Sequence, residues 1–489
     1  MNNAKKSNRL HRGLLVAISL FQAGSLAILP LSTLLFLQAG ACQELAVTGA
    51  KIIPVVGEPI EQGTIVIREG RIAAIGHDVK IPVEARVIDA TGKVIMPGFI
   101  EAHTSEPMSQ ANENNPNVPF VSVLDTIDPM RVYFDEARRN GITTVSVLAG
   151  NSTMIGGQGT AIKTGETFLD AMILERVTGM KISLSPAGGV SRMGQLAALR
   201  KELADAYKLA FPEQKKSEAT TTAAKAEAEN TEGDEQRRAG RRGRPNGDAP
   251  PSREGRDDQP AESGEKKQDE QPTETASRDA KSQEPPVIDA LKRPMVDLVS
   301  GKMLAFIHCE IPMDVMHALS LIKEFNLRPV LILGRGCYKA AQDVVASGYP
   351  VIFHEDLVFW ERDPRSNEDR QINVIEAFQD LQAPFALSVA RAGGDTIGQN
   401  YLWYQAATAV KYGMPQAKAL ESLTIGPARM LGVDEFVGSL EVGKDGDLVI
   451  LSGDPLHVDT WVDLTIVNGK IVYERENDPK LKLLLEGTK

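Results

Sequence analysis

Short apolar stretches, bounded by glycine and charged residues, mark both ends of the chain. They cover residues 45–47, 52–54, 63–67 and 72–75 near the start, and 448–451, 463–467 and 470–473 near the end. Runs of this length and composition are typical of antiparallel strands, and the pair Asn468-Gly469 predicts a tight hairpin turn. Neither end has enough strands for a stable sheet alone. The pattern therefore predicts one small composite β-domain, built from residues 42–97 and 436–489.

The middle of the chain has a different pattern, in which apolar runs alternate with helix-like segments. The runs cover residues 143–148, 179–184, 303–307, 329–333, 350–353 and 384–389. Between two of them, residues 318–325 place Leu319, Ile322 and Phe325 on one helical face. Strands that alternate with helices favour a parallel sheet. We predict an α/β fold, a (β/α)8 TIM-like barrel formed by residues 98–212 and 287–435.

Residues 213–286 interrupt this barrel. They contain no Val, Ile, Leu, Met, Phe, Trp or Tyr, and a basic cluster lies at residues 237–244. Such a segment cannot bury enough apolar area to offset the entropy of ordering its backbone. We predict a disordered low-complexity insertion, either a solvated charged loop or a docking tail for an acidic partner.

Residues 1–41 resemble an export signal. Lys5, Lys6, Arg9 and Arg12 precede a mostly apolar run over residues 14–37, and Ala39-Gly40-Ala41 offers small residues for cleavage. Two alternatives stay open: lipidation at Cys42, or an uncleaved anchor, since the run is long enough to span a bilayer. We expect export to the periplasm or cell envelope, with at most an N-terminal membrane tether.

Composition narrows the function classes. The 489 residues carry a formal net charge of −11, which argues against a nucleic-acid binder, because phosphate neutralisation needs clustered Lys and Arg. The three cysteines, Cys42, Cys309 and Cys337, are too few for a disulfide framework. Charge and cysteine count therefore argue against nucleic-acid binding and a disulfide framework, and they leave the oligomeric state open.

Four strings together identify a family. Residues 95–105 read IMPGFIEAHTS, residues 151–164 NSTMIGGQGTAIKT, residues 424–432 TIGPARMLG and residues 438–447 GSLEVGKDGD. The first resembles the strand 1 signature of the amidohydrolase superfamily, in which a Pro-Gly turn leads into a strand ending in His-x-His. The second resembles the Gly-Gly-Gln-Gly loop of its imidazolonepropionase-like members. The last two resemble the family's closing helix and its return to the small β-domain.

The resemblance implies a metal-dependent hydrolase whose ligands lie at the carboxyl ends of the barrel strands. Its usual set is His-x-His on strand 1, a carboxylated Lys or a Glu on strand 4, His on strands 5 and 6, and Asp on strand 8. Here Ser105 replaces the second histidine of strand 1, strand 6 ends without a histidine, and strand 8 ends without an aspartate. We therefore expect the standard two-metal centre to be absent.

Other residues at predicted strand ends provide a rebuilt candidate site. Lys181 is the better candidate for the strand 4 position and Lys163 the other. The full prediction names metal ligands His103, His308 and His354, catalytic carboxylates Glu310 and Glu355, and substrate-cleft residues Gln158, Lys181 and Arg335. Imidazoles with a carboxylate are a workable set for one Zn²⁺. The alternative is that these are ordinary polar residues of a solvated cleft and that no metal binds.

Two functions follow. One is a hydrolase of carbon–nitrogen bonds in small amide, cyclic amide or peptide substrates, with an altered or single-metal site. The other is a catalytically silent homologue that acts as a binding or assembly module in the cell envelope. Cys309, flanked by His308 and Glu310, is also considered as a nucleophile, although a buried strand cysteine is more often a small hydrophobic residue.

Overall fold

A computed structural model describes residues 44–212, 288–354, 356–389 and 401–486. The predicted signal at residues 1–41, the predicted insertion at 213–286 and Glu355 lie outside the described residues. The strands are β1 (Leu45–Ile52), β2 (Ile60–Arg68), β3 (Arg71–Gly76), β4 (Arg86–Asp89), β5 (Val94–Pro97), β6 (Phe99–Thr104), β7 (Ile142–Val147), β8 (Ile155–Lys163), β9 (Ile173–Ser183), β10 (Leu304–Cys309), β11 (Arg328–Leu333), β12 (Val351–Phe353), β13 (Val358–Arg362), β14 (Asp369–Asn373), β15 (Phe385–Leu387), β16 (Leu448–Leu451), β17 (Val462–Val467) and β18 (Lys470–Glu474).

Helices connect many of these strands. They are α1 (Val132–Arg139), α2 (Leu169–Met172), α3 (Arg192–Ala210), α4 (Arg293–Val299), α5 (Pro312–Phe325), α6 (Ala341–Ser347), α7 (Val374–Ala377), α8 (Leu402–Lys411), α9 (Gln416–Glu421), α10 (Ile425–Leu431) and α11 (Pro479–Glu486). Short 3₁₀ helices lie at Val123–Thr126, Arg335–Ala340 and Arg475–Asn477. Within the described part of the chain, no helix is both long and apolar enough to cross a membrane.

The two ends of the chain share one sheet, as predicted. Its strand order is β18-β17-β16-β5-β1-β2-β3, with β4 beside β1. The two halves join where β16 pairs antiparallel with β5, from Leu448 opposite Pro97 to Leu451 opposite Val94. The predicted hairpin is also present, because Asn468 and Gly469 adopt φ values of 48° and 71° between β17 and β18.

The second sheet forms the barrel and positions the candidate site. Its order is β6-β7-β8-β9-β10-β11-β12-β15. At the seam between β15 and β6, the hydroxyl oxygen of Ser388 lies 2.7 Å from Oε1 of buried Glu101 and 2.9 Å from the carbonyl oxygen of His103, so its single proton is shared between these two acceptors. These contacts hold the eight strands in a nearly closed barrel, which confirms the predicted fold class.

One strand corrects the prediction of a parallel sheet. Strand β8 runs antiparallel to β7 and to β9, and it contains the Gly-Gly-Gln-Gly segment that sequence reasoning placed in a loop. The glycines hid the strand because they break its apolar run. Gly157 has a φ of +84°, and a Cβ there would lie 2.6 Å from the carbonyl oxygen of Val121. This backbone approach requires glycine.

A buried cation fastens the barrel to the composite sheet. The amine of Lys163, at the end of β8, lies 2.6 Å from Oδ2 of Asp445 and 3.0 Å from Oδ2 of Asp447, and its side chain is only 4% exposed. It also donates to Oδ1 of Asn468 at 2.5 Å. Lys163 therefore serves this junction, and the structure leaves Lys181 as the strand 4 lysine at the candidate site.

We expect the substitution Lys163→Met to lower the free energy of unfolding by about 3–5 kcal/mol, because it leaves the buried carboxylate of Asp447 without its counter-charge. Urea denaturation measures the change. The matched control is Lys470→Met, which removes the exposed ion pair with Glu166 and should cost at most about 1 kcal/mol. A loss at Lys163 no larger than at Lys470 would show that this junction does not stabilise the fold.

Candidate functional site

The candidate site forms where the barrel strands end. The strand register sets Cys309 beside Leu333, and Leu333 beside Phe353. The carboxyl ends of β10, β11 and β12 therefore lie at one rim, and residues just before or after these ends face the same cleft. This register brings together side chains that lie far apart in the sequence.

Side-chain alternation explains why two histidines face inward. Phe306 on β10 and Ile352 on β12 belong to one hydrophobic cluster inside the barrel. His308 follows Phe306 by two residues and His354 follows Ile352 by two, so each lies on the same strand face as its apolar neighbour. Both imidazoles therefore extend the interior of the barrel to its carboxyl rim.

Three basic side chains form a hydrogen-bonded chain across this rim. Nδ1 of His103 lies 3.2 Å from Nδ1 of His354, and the two rings meet edge to face at 87°. On the other side, the Lys181 amine lies 3.3 Å from Nε2 of His103. Both ring nitrogens of His103 thus have partners. The sequence prediction that His103, Lys181 and His354 share a site is reflected in direct contacts, while their roles stay predictions.

Burial disfavours the charged forms of these bases. Desolvation lowers the pKa of His354 to about 3 and the pKa of Lys181 to about 7. The pKa of His103 is also well below its usual value, chiefly through burial and then through the nearby Lys181. The pKa of His308 is lowered by burial, partly opposed by Glu310. Neutral imidazoles carry the lone pairs that metal ligation requires.

Lys181 is held by a residue that sequence reasoning did not single out. Its amine donates to Oδ1 of Asn151 at 2.6 Å and to the carbonyl oxygen of Ala149 at 3.0 Å. Both acceptors lie in the connection between β7 and β8. Asn151 begins the family-like string at residues 151–164, but nothing in one sequence indicates that its side chain turns toward β9.

His308 presents one ring nitrogen to the cleft. Its Nδ1 lies 3.5 Å from the hydroxyl oxygens of Ser183 and Ser185. Ser183 donates its own proton to the carbonyl oxygen of Asn151 at 2.6 Å, so of these two hydroxyls only that of Ser185 is able to donate to Nδ1. The buried Nε2 lies 3.4 Å from Oε2 of Glu310, and a hydrogen bond between the two side chains lowers the pKa of Glu310. His308 and Glu310 are therefore a coupled pair at the rim.

The start of α5 positions Glu310. Oδ2 of Asp314 accepts from the backbone N–H of Glu310 at 3.1 Å, and Arg192 holds Asp314 at 2.7 Å. Gly334 at the end of β11 leaves the space for this side chain, since a Cβ there would lie 3.0 Å from Oε2 of Glu310. His308 is the chief cause that lowers the pKa of Glu310, so Glu310 is a carboxylate at neutral pH.

Arg335 and Gln158, the other residues predicted to line the cleft, lie at opposite ends of the barrel. Arg335 follows β11 at the rim, where its guanidinium pairs with Asp356 and lies 5.0 Å from the centroid of the Phe359 ring. Gln158 lies elsewhere. It lines a depression of about 470 Å³ together with Leu304 and Arg328, which begin β10 and β11 and so mark the amino end of the barrel. Gln158 lies away from the rim because the segment predicted as a cleft loop is the strand β8.

A nucleophilic role for Cys309 has no support in the structure. Its side chain is fully buried, and burial raises the pKa of the thiol well above its usual value. A reactive thiolate needs an accessible and electropositive setting. Cys309 instead belongs to the large hydrophobic cluster between the barrel and its helices.

The donor set fits one metal ion better than two. Two zinc donors bonded at about 2.0–2.2 Å in tetrahedral geometry lie roughly 3.3–3.6 Å apart, which matches the 3.4 Å between Nε2 of His308 and Oε2 of Glu310. Among the described residues of the strand 1 signature, a second ion would meet only the hydroxyl of Ser105 and a His103 ring whose two nitrogens already have partners. Within the residues that the structure describes, no three His, Cys, Asp or Glu already stand in a ligand arrangement.

Comparisons with known proteins agree with the fold and the strings. The model of the Amidohydrolase family matches residues 330–472. An imidazolonepropionase from Vibrio cholerae is 31% identical over 114 residues, covering 18% of this chain and 28% of that protein. A dihydroorotase from Mycobacterium tuberculosis is 50% identical over 44 residues, 9% of this chain and 10% of that protein. The chain therefore matches under a third of the length of each of these two relatives.

One solved structure shows the same architecture. The amidohydrolase from Thermotoga maritima MSB8 superposes with a TM-score of 0.64 at 22% identity, covering 88% of this chain and 100% of that one. At this identity the likeness concerns the fold.

Proposed function

The chain belongs to the amidohydrolase superfamily, and from this premise we propose that it hydrolyses carbon–nitrogen bonds in small amide or cyclic amide substrates. The reaction takes place at the carboxyl rim of the barrel. The observation that carries the proposal is the buried Nε2 of His308, which lies 3.4 Å from the carboxylate of Glu310. A cation between these atoms would replace the proton that joins them, with the proton of His308 then on Nδ1.

The proposed ligands of one Zn²⁺ are His308, Glu310 and His354. Glu310 lies close enough to His354 to influence the pKa of its imidazole, so the three side chains belong to one polar cluster. Nδ1 of His308 lies 3.5 Å from the hydroxyl oxygens of Ser183 and Ser185, and with the proton on Nδ1 such an outer contact typically orients a ligating histidine. A zinc ion bound there would polarise the substrate carbonyl and lower the pKa of a bound water.

Proton transfer and binding of the substrate oxygen require further side chains. A water that attacks the carbonyl must lose a proton to a nearby base, and the leaving nitrogen must gain one. Glu355 follows His354 directly in the chain, and we propose it as this base. The guanidinium of Arg335, at the end of the neighbouring strand β11, provides a donor fork for an anionic or carbonyl oxygen of the substrate.

A panel assay tests the proposal. The purified full chain is stripped of metal with a chelator and assayed with and without added zinc against dipeptides, N-acyl amino acids and cyclic amides. We expect hydrolysis of at least one compound, dependent on zinc and retained in His457→Ala, a variant at an exposed histidine far along the chain. Hydrolysis at the same rate in the metal-stripped protein would contradict the proposal that the reaction depends on zinc.

One observation favours a second candidate function. His103, the single histidine kept from the strand 1 signature, is engaged at both ring nitrogens, as expected for a silent homologue that uses the barrel as a binding module. Zinc binding at the rim without cleavage of any compound in the panel would favour this alternative over hydrolysis.

A further inference from the structure

The Lys181 side chain is fully buried at the end of β9, yet its nitrogen has three polar neighbours. They are the carbonyl oxygen of Ala149 at 3.0 Å, Oδ1 of Asn151 at 2.6 Å and Nε2 of His103 at 3.3 Å. Three neighbours satisfy a lysine amine in either protonation state. As an ammonium it donates three hydrogen bonds, and as a neutral amine it donates two and accepts the third from His103.

These contacts occupy the position that a second ion would need. A metal must approach the lone pair of a ring nitrogen to about 2.0–2.1 Å. Lys181 already meets Nε2 of His103, and His354 meets its Nδ1. His103 therefore has no ring nitrogen left for an ion while the lysine stays in place.

The same neighbours select an unmodified lysine. A carbamate on the amine would replace its N–H donors with anionic oxygens. The carbonyl oxygen of Ala149 is fixed in the backbone and can only accept hydrogen bonds, so a carbamate oxygen brought toward it would be repelled. The Asn151 side chain could turn its amide nitrogen inward, but the Ala149 carbonyl cannot.

We propose that the free amine of Lys181 is the permanent partner of His103 and takes the place of a second metal ion. Asn151 and Ala149 hold the amine, the amine holds His103, and His103 holds Nδ1 of His354. Lys181 is thus a positioning residue that leaves Nε2 of His354 for the single ion. The role given to Nε2 of His354 rests on the proposed one-ion site. The inference that Lys181 keeps a free amine rests only on the contacts of its nitrogen.

Two measurements on the full chain test the assignment. The first is ¹³C NMR of protein equilibrated with ¹³C-bicarbonate, with and without zinc. We expect no lysine carbamate resonance in either sample. A carbamate resonance that appears in the wild type and disappears in Lys181→Met would overturn the assignment, whether or not the protein proves to be a hydrolase.

The second measurement follows the histidine rings by ¹⁵N NMR in the wild type, Lys181→Met and the control Lys201→Met, whose lysine lies on the exposed face of α3. We expect the ring resonances of His103 and His354 to shift in Lys181→Met alone, while those of His457 stay fixed. Zinc titration of the same variants should leave one equivalent bound. Unshifted rings in a folded Lys181→Met, or a second equivalent in the wild type, would overturn the positioning role.

Discussion

Replacing His308 with alanine should remove zinc binding and hydrolysis together. His308 supplies the buried nitrogen beside Glu310, and β10 carries no other imidazole. Changes to groups that merely support a metal ligand already cost about 10–100-fold in affinity, so loss of the ligand itself should cost at least roughly 100-fold. Titration calorimetry with zinc measures the affinity.

The control for this prediction is His457→Ala, because His457 lies on an exposed loop and should leave zinc affinity unchanged. His308→Asn is the second variant, since it keeps a polar side chain on β10 if the alanine variant folds poorly. Zinc affinity equal to the wild type in a folded His308 variant would rule out the proposed site.

Replacing Glu310 and Glu355, one at a time, with glutamine should distinguish the metal ligand from the general base. Glu310→Gln removes the anionic donor beside His308, so zinc affinity and hydrolysis should fall together. Glu355→Gln should keep the ion and lose about 10²–10⁴-fold in rate, the usual contribution of a general base. The measurements are zinc titration and steady-state hydrolysis on the same preparations, with thermal melts to confirm folding.

This pair of variants also decides between the two carboxylates. If Glu310→Gln retains its zinc and loses only rate, then Glu310 is the base and the ion has another donor. If Glu355→Gln hydrolyses at the wild-type rate, the role proposed for Glu355 is wrong.

The fold could be predicted because its signals are local. Apolar runs, turn pairs and the closing string each indicate an element directly, and the two chain ends must share a sheet because neither suffices alone. The direction of β8 could not be predicted in this way. Its three glycines suppress the apolar pattern, and the close approach of Gly157 to Val121 is a tertiary contact that one sequence does not display.

The candidate site could be predicted only in part, for a related reason. His308 lies near the end of β10, and His354 directly follows β12. The apolar alternation of both strands is present in the sequence, so the pattern predicts that both histidines lie at the rim. Asn151, between β7 and β8, accepts a hydrogen bond from Lys181, and Gly334, just after β11, leaves space for the side chain of Glu310. Such contacts depend on register between strands distant in sequence, and this information appears only in the folded barrel.

The most direct measurement of the central claim is the number of zinc ions per folded chain. The purified protein is stripped of metal, dialysed to equilibrium against buffered zinc and analysed for zinc and protein by elemental analysis. The one-ion site predicts one tightly bound equivalent in the wild type and none in His308→Ala. Two tightly bound equivalents would contradict the assignment of Lys181, and a folded wild-type protein without bound zinc would contradict the site itself.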